Sequence, residues 1–224
     1  MTSRHLIFDC DGVLVDSEPL SMRIDVEILA GNGVVMSEAV AHARFVGRTF
    51  AAMLDEIAGE FGVRFPADAS AQKDLRLLAL YERELKAVDG VRQALETIGY
   101  HRYSVASNSP AERVAAALRI TGLTEFFGSR VTTFEHVPRA KPEPDVFIEA
   151  ARRAGYRPEH CIVIEDSLTG ITAAHRAGCR TLGFTGTHPK PQVHALKLRE
   201  AGAAQIFHRM AELPNLVEGI LHDA

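Results

Sequence analysis

Short apolar runs alternate with helical periods along much of the chain, and one long stretch departs from that alternation. Four runs, His5 to Asp9, Tyr103 to Ser107, Cys161 to Glu165 and Arg180 to Phe184, are apolar or β-branched and end in polar or glycine residues, as strands do. Val91, Ala94, Leu95 and Ile98 recur at i, i+3, i+4, i+7, and so do Phe147, Ala150, Ala151 and Ala154, which predicts helices. Ser109-Pro110-Ala111-Glu112 predicts another helix start, with a Ser109 hydroxyl cap, proline at the first helical position and a capping-box glutamate. Strand and helix alternate from about residue 90 onward. The pattern predicts an α/β fold, a doubly wound parallel sheet that binds ligands beyond the carboxyl ends of its strands. Asp9, Ser107, Glu165 and Asp166 stand at those ends.

Residues 18 to 87 read as helices alone. Leu20, Ile24 and Ile28 recur every fourth position; Phe50, Met53, Leu54, Ile57, Ala58 and Phe61 form one apolar stripe, and Leu77, Tyr81, Leu85 and Val88 another. Gly31-Asn32-Gly33 and Phe65-Pro66 interrupt the series. The expected organisation is a core of residues 1–15 and 89–224 with a helical domain of residues 16–88 inserted after the first strand, and the two crossings form a hinge.

The 224 residues are 46% apolar and 24% charged, enough apolar surface to oppose disorder. A net charge of −4 provides no broad basic face for a nucleic-acid backbone or an anionic membrane. The N-terminal apolar stretch is too short for a signal peptide and no run reaches the roughly 18 residues of a membrane span, so the cytoplasm is the expected location. Cys10, Cys161 and Cys179 lack metal-ligand spacing and read as small buried apolar side chains in a reducing compartment. His42, His188, His194 and His208 likewise read as surface or packing residues.

The most informative string is Asp9-Cys10-Asp11-Gly12-Val13-Leu14-Val15-Asp16-Ser17. Two carboxylates one residue apart leave an apolar strand, and glycine follows at once, permitting the sharp turn that aims both at one point. Five specified positions at roughly 1 in 20 each would occur by chance in a chain this long on the order of 1 time in 10,000.

This string resembles the first motif of the haloacid dehalogenase-like phosphohydrolases. Val105-Ala106-Ser107-Asn108 resembles the second motif, Lys141-Pro142-Glu143-Pro144-Asp145 the third and Ile164-Glu165-Asp166-Ser167 the fourth, in the family's order. The helical segment falls where members with an α-helical cap insert it. The resemblance implies a Rossmann-like core with an inserted helical cap domain, in the branch holding 6-phosphogluconate phosphatases, phosphoglycolate phosphatases and β-phosphoglucomutase.

The residue types suit the chemistry. A phosphate monoester is a dianion attacked by an anion, and two unit charges about 4 Å apart interact by roughly 4 kcal/mol at an effective dielectric near 20. A divalent cation with oxygen ligands and a lysine would compensate. By resemblance, Asp9 is the nucleophile and a ligand of Mg²⁺, and Asp11 is the general acid and base, binding the metal through its backbone carbonyl. Asp166 is a direct carboxylate ligand and Glu165 acts through a metal-bound water. Ser107 donates to a phosphoryl oxygen, Asn108 offers its backbone N–H and its side chain, Gly12 lies against substrate, and Lys141 neutralises phosphate and Asp9. An acid at position 11 fits an alkoxide leaving group, which a dehalogenase does not need. In the inserted segment Glu18, Arg44, Gly47 and Arg48 are expected to face the substrate, Arg44 to Arg48 forming a cap loop. The partner is a small phosphorylated metabolite, and a monomer is expected, with a weak dimer as the alternative.

Three functions compete: a Mg²⁺-dependent phosphatase of sugar or sugar-acid phosphates such as 6-phosphogluconate, a β-phosphoglucomutase-type isomerase, and a non-catalytic sugar-phosphate binder. The mutases carry a histidine shortly after the first motif where this chain has Ser21, which weighs against the second. An ionisable acid at position 11 weighs against the third, since binding alone does not need one.

Overall fold

The computed structural model describes residues 4–45, 49–99 and 103–222. The chain divides into two compact units, Met1–Asp16 with Lys86–Ala224, and Ser17–Leu85. In chain order, β1 (His5–Phe8) belongs to the first unit. The second holds α1 (Glu18–Gly31), α2 (Glu38–Phe45), α3 (Phe50–Phe61) and α4 (Ala69–Glu84). The first then continues with α5 (Val91–Ile98), β2 (Tyr103–Ser107), α6 (Ala111–Ile120), α7 (Thr124–Phe127), β3 (Val131–Thr133), α8 (Asp145–Arg153), β4 (Cys161–Glu165), α9 (Leu168–Ala177), β5 (Arg180–Phe184), α10 (Pro191–Glu200), β6 (Gln205–Phe207) and α11 (Leu213–His222).

Among the described residues the strands form one parallel sheet in the order β3-β2-β1-β4-β5-β6. The four runs predicted from the sequence are all strands, the first ending at Phe8 rather than Asp9. The edge strands β3 and β6, three residues each, add to the prediction. Every residue of β1, β2 and β4 is buried because helices cover both faces. Ile7, Ala106 and Val163 pack with Phe147, Ala150 and Ala151 of α8 and with Ala173 and Ala174 of α9. On the alternate face Phe8 meets the rings of Tyr103 and Phe127 edge-on at 5.8 and 5.9 Å. The Tyr103 hydroxyl donates to the Leu95 carbonyl of α5 at 2.6 Å.

The register sets the site. Phe8 is level with Val105 on one side and Ile164 on the other, and the Asp9 N–H continues the ladder to the Ile164 carbonyl at 2.9 Å. Asp9, Ser107 and Glu165 therefore end neighbouring strands. Where the chain leaves and re-enters this unit, Val15 bridges Ala87 in antiparallel fashion and the Asp16 N–H donates to the Lys86 carbonyl at 3.0 Å.

The helical unit has its own core of Met22, Leu29, Ala41, Phe45, Met53, Leu54, Ile57 and Ala69. Two apolar stripes are shorter than the sequence predicts: Phe61 at the end of α3 is 50% exposed, and α4 stops at Glu84, leaving Val88 in the sheet unit. Arg44 and Phe45 end the helix α2 instead of opening a loop. The three cysteines are free and buried. Among the described residues no helix is long and apolar enough to cross a membrane.

Candidate active site

Lys141 joins the strand ends. Its ammonium donates to Asp9 Oδ1 at 2.6 Å, to Glu165 Oε1 at 2.8 Å and to the Ala106 carbonyl at 2.9 Å, which uses all three of its protons. All three side chains are buried. Burial alone would discharge the lysine, but Asp9 and then Glu165 hold its pKa above the usual value. Asp9 is pushed up to about 7: burial raises it most, Lys141 pulls it down, and Glu165 and Asp11 push it up again. A single ammonium thus leaves this carboxylate group short of positive charge.

Glu165 is fixed at both oxygens, because Oε2 accepts from the Ser167 N–H at 2.7 Å and the Ser167 hydroxyl at 2.9 Å. Ser167 is the N-cap of α9, its oxygen accepting from the Gly170 N–H at 3.0 Å. The carboxyl lies over α9 at Gly170, where a Cβ would stand 1.6 Å from Oε1. Gly12, at φ +79°, makes similar room for Asp166, whose Oδ2 would lie 2.1 Å from a Cβ. One oxygen from each of Asp9, Glu165 and Asp166 lies within 4.8 Å of the others. Crowded hard oxygen donors with unbalanced charge fit a divalent cation such as Mg²⁺.

The remaining core residues gather around this cluster. Asn108 holds Lys141 in place: its side-chain oxygen accepts from the Lys141 N–H at 2.9 Å and its amide donates to the Lys141 carbonyl at 3.1 Å. The side chain expected to touch substrate is thereby committed to the lysine loop. Ser107 Oγ accepts from the Ser109 N–H at 3.0 Å, leaving its own proton to donate. The Ser109 hydroxyl is not the predicted helix cap. It donates to Asp11 Oδ2 at 2.5 Å, and the first amide of α6, Ala111, is served by Glu135 at 2.8 Å. Arg139, near the third motif, is exposed and paired with Asp145 at 2.8 Å.

Two contacts that the sequence did not signal come from the segment after β5. The Thr187 hydroxyl donates to the Gly12 carbonyl at 2.9 Å, and His194 Nε2 donates to the Asp166 carbonyl at 2.5 Å, so this segment braces the first and fourth motifs. His188 stacks flat on His194 with ring centroids 3.9 Å apart.

Two of the residues expected to face substrate have partners within the helical unit. Glu18 opens α1 with its carboxylate 3.9 Å from His42 Nε2. Arg44 donates to Glu56 at 2.7 Å and also to Glu60, and these carboxylates raise its pKa. Its charge is thus already matched within its own unit. Gly47 and Arg48 lie outside the described residues.

Comparison with known proteins agrees with this arrangement. The chain is 28% identical over 214 residues to the 6-phosphogluconate phosphatase of Escherichia coli, covering 94% of this chain and 93% of that protein. It is also 28% identical over 184 residues to hexitol phosphatase B of the same organism, covering 79% and 81%. A crystal structure of a haloacid dehalogenase-like protein of unknown function from Agrobacterium tumefaciens superposes with a TM-score of 0.86 at 32% identity, covering 98% and 99% of the two chains. The family model of the haloacid dehalogenase-like hydrolases matches residues 4–178, a span that includes all four motifs. The chain belongs to the haloacid dehalogenase-like hydrolases.

Proposed function

We propose that this hydrolase is a Mg²⁺-dependent phosphatase that cleaves small phosphoric monoesters, sugar or sugar-acid phosphates such as 6-phosphogluconate, through an aspartyl-phosphate on Asp9. The observation that carries the reading is the buried Lys141 shared between Asp9 and Glu165 at adjacent strand ends, with Asp11 two residues after Asp9. A structural ion pair would need only one carboxylate. Two buried carboxylates on one lysine form a site short of positive charge that a divalent cation would supply.

Asp9 attacks phosphorus, forming an Oδ–P bond as the bond from phosphorus to the leaving oxygen breaks. Asp11 delivers its proton to that oxygen, then takes one from the water that hydrolyses the acyl phosphate. Lys141 holds the Asp9 carboxylate and offsets charge as the phosphoryl group arrives. Ser107 donates its hydroxyl proton to a phosphoryl oxygen, with the Asn108 N–H beside it. Asp9, Asp166 and the Asp11 carbonyl would hold Mg²⁺, which when bound polarises the phosphoryl group; Glu165, with both oxygens occupied, would contribute through water. Gly12 serves by leaving space for Asp166. The substrate class rests on the two carbohydrate-phosphate phosphatases to which the chain is similar.

The test is phosphate release from a panel of phosphorylated metabolites. Asp9→Asn should lower kcat by at least about 10³-fold, and EDTA should abolish turnover reversibly. Undiminished turnover by Asp9→Asn would remove the covalent route. With β-glucose 1-phosphate and a bisphosphate primer, free phosphate supports this reading and glucose 6-phosphate supports the isomerase.

A further inference from the structure

The Ser109 hydroxyl leaves the amides of α6 to Glu135 and turns to Asp11. Ser109 is 4% exposed, and its 2.5 Å contact with Asp11 Oδ2 has the length of a hydroxyl bonded to a charged oxygen. Its orientation is set from behind. Arg113, one turn further along α6, donates from a terminal nitrogen to the same Ser109 oxygen at 2.6 Å. A guanidinium only donates, so the serine oxygen accepts from it and the single serine proton is directed to Asp11. The Ser109 N–H meanwhile donates to Ser107 Oγ, tying this chain of contacts to the residue beside the phosphoryl position.

We infer that Ser109, oriented by Arg113, is a positioning residue that holds the Asp11 carboxyl in one orientation for proton exchange with the leaving group and the water. The inference rests on the acid–base role proposed for Asp11 and adds the residues that aim it. The proton passed to the leaving oxygen is Asp11's own and is regained from water; Ser109 keeps its proton throughout, since an alcohol is far too weak an acid to give it up. Arg113 contributes to this arrangement by its hydrogen bond to the serine oxygen.

The leaving group provides the test. An alkoxide needs a proton as it departs, whereas 4-nitrophenolate departs without one, so a fault in acid positioning falls on the first and spares most of the second. With the Mg²⁺-loaded enzyme, Ser109→Ala should lower kcat/KM, which reports the step up to departure of the leaving group, about tenfold on the best alkyl phosphate of the panel and less than about threefold on 4-nitrophenyl phosphate. Ser109→Thr, which keeps the hydroxyl, should retain most of what Ser109→Ala loses. Equal losses on both esters would assign Ser109 a merely structural role and overturn the inference. Asp11→Asn is the reference. If its kcat/KM falls equally on both esters, the acid–base reading itself fails; if it discriminates while Ser109→Ala does not, only the positioning role fails. Should Ser109→Ala not fold in a thermal melt, Ser109→Gly is judged by the same criterion.

Discussion

Both units hold charge away from water, and they balance it in different ways. In the helical unit three cations have their partners close by: Lys73 meets Asp25 at 2.6 Å, Arg23 meets Glu84 at 2.8 Å, and Arg44 is taken by Glu56 and Glu60. In the sheet unit the one ammonium of Lys141 is shared by two buried carboxylates, Asp9 and Glu165. The first arrangement is what stability needs. The second leaves excess negative charge in a buried place, which stability alone disfavours. The contrast separates architecture from chemistry without reference to any relative.

The contrast can be broken at Lys141. Lys141→Met leaves Asp9 and Glu165 buried without their cation and should cost about 3–5 kcal/mol in denaturant unfolding, together with phosphate release. A smaller loss in the metal-free protein would mean that the site relieves its charge by itself.

A second measurement concerns acid. Burial, and then Arg130, lowers the His5 pKa to about 4; its ring is stacked 5.0 Å from Tyr156 and lies 3.1 Å from Ser104 Oγ. The unfolded chain binds a proton at this histidine below about pH 6.5, and the folded chain does not until about pH 4. Its contribution is therefore complete above 6.5 and should fall by about 3 kcal/mol at most as the pH drops to 4. Urea midpoints measured across that window should show the loss in the parent and a flatter profile in His5→Phe.

The last pair of substitutions compares two helical glycines, one from each unit. At Gly170 an added methyl collides with the pinned Glu165 carboxyl, so Gly170→Ala should lower stability by about 1–3 kcal/mol and depress turnover. At Gly59 in α3 nothing lies within 4 Å, and Gly59→Ala should raise stability by about 0.5–1 kcal/mol without touching kcat. Thermal melts and phosphate release read both. A shared sign would erase the distinction between a packed site and an open helix face.

How legible each part was in the sequence follows from its surroundings. The central strands announce themselves as unbroken apolar runs because helices bury both faces, as His5–Phe8 and Cys161–Glu165 show. Val131–Thr133 and Gln205–Phe207 are too short for a pattern and become strands only through a neighbour. The helix α2 buries only Ala41 and Phe45, too little to mark a stripe. The core motif residues were legible because four motifs recur in a known order, and the fold brings Asp9, Ser107, Lys141, Glu165 and Asp166 to one end of the sheet. What pattern could not reveal was partnership. Ser109 carries a capping signature, yet Glu135 supplies the cap from 24 residues away and frees the hydroxyl. Arg44 has the right type for an anion, yet two glutamates one helix later claim it. Thr187 and His194 sit in a segment with no recognisable string, and only distance in space assigns them a task.

One consequence follows from β1 lying between β2 and β4. Parallel strands keep a pitch of about 4.8 Å regardless of what their loops carry, so the sheet acts as a ruler on which Asp9, Ser107 and Glu165 occupy adjacent marks. The segments outside the three central strands are bound by the same spacing, because Lys141 follows β3 while Thr187 and His194 follow β5, so an engineer who redraws the periphery has to keep those anchors.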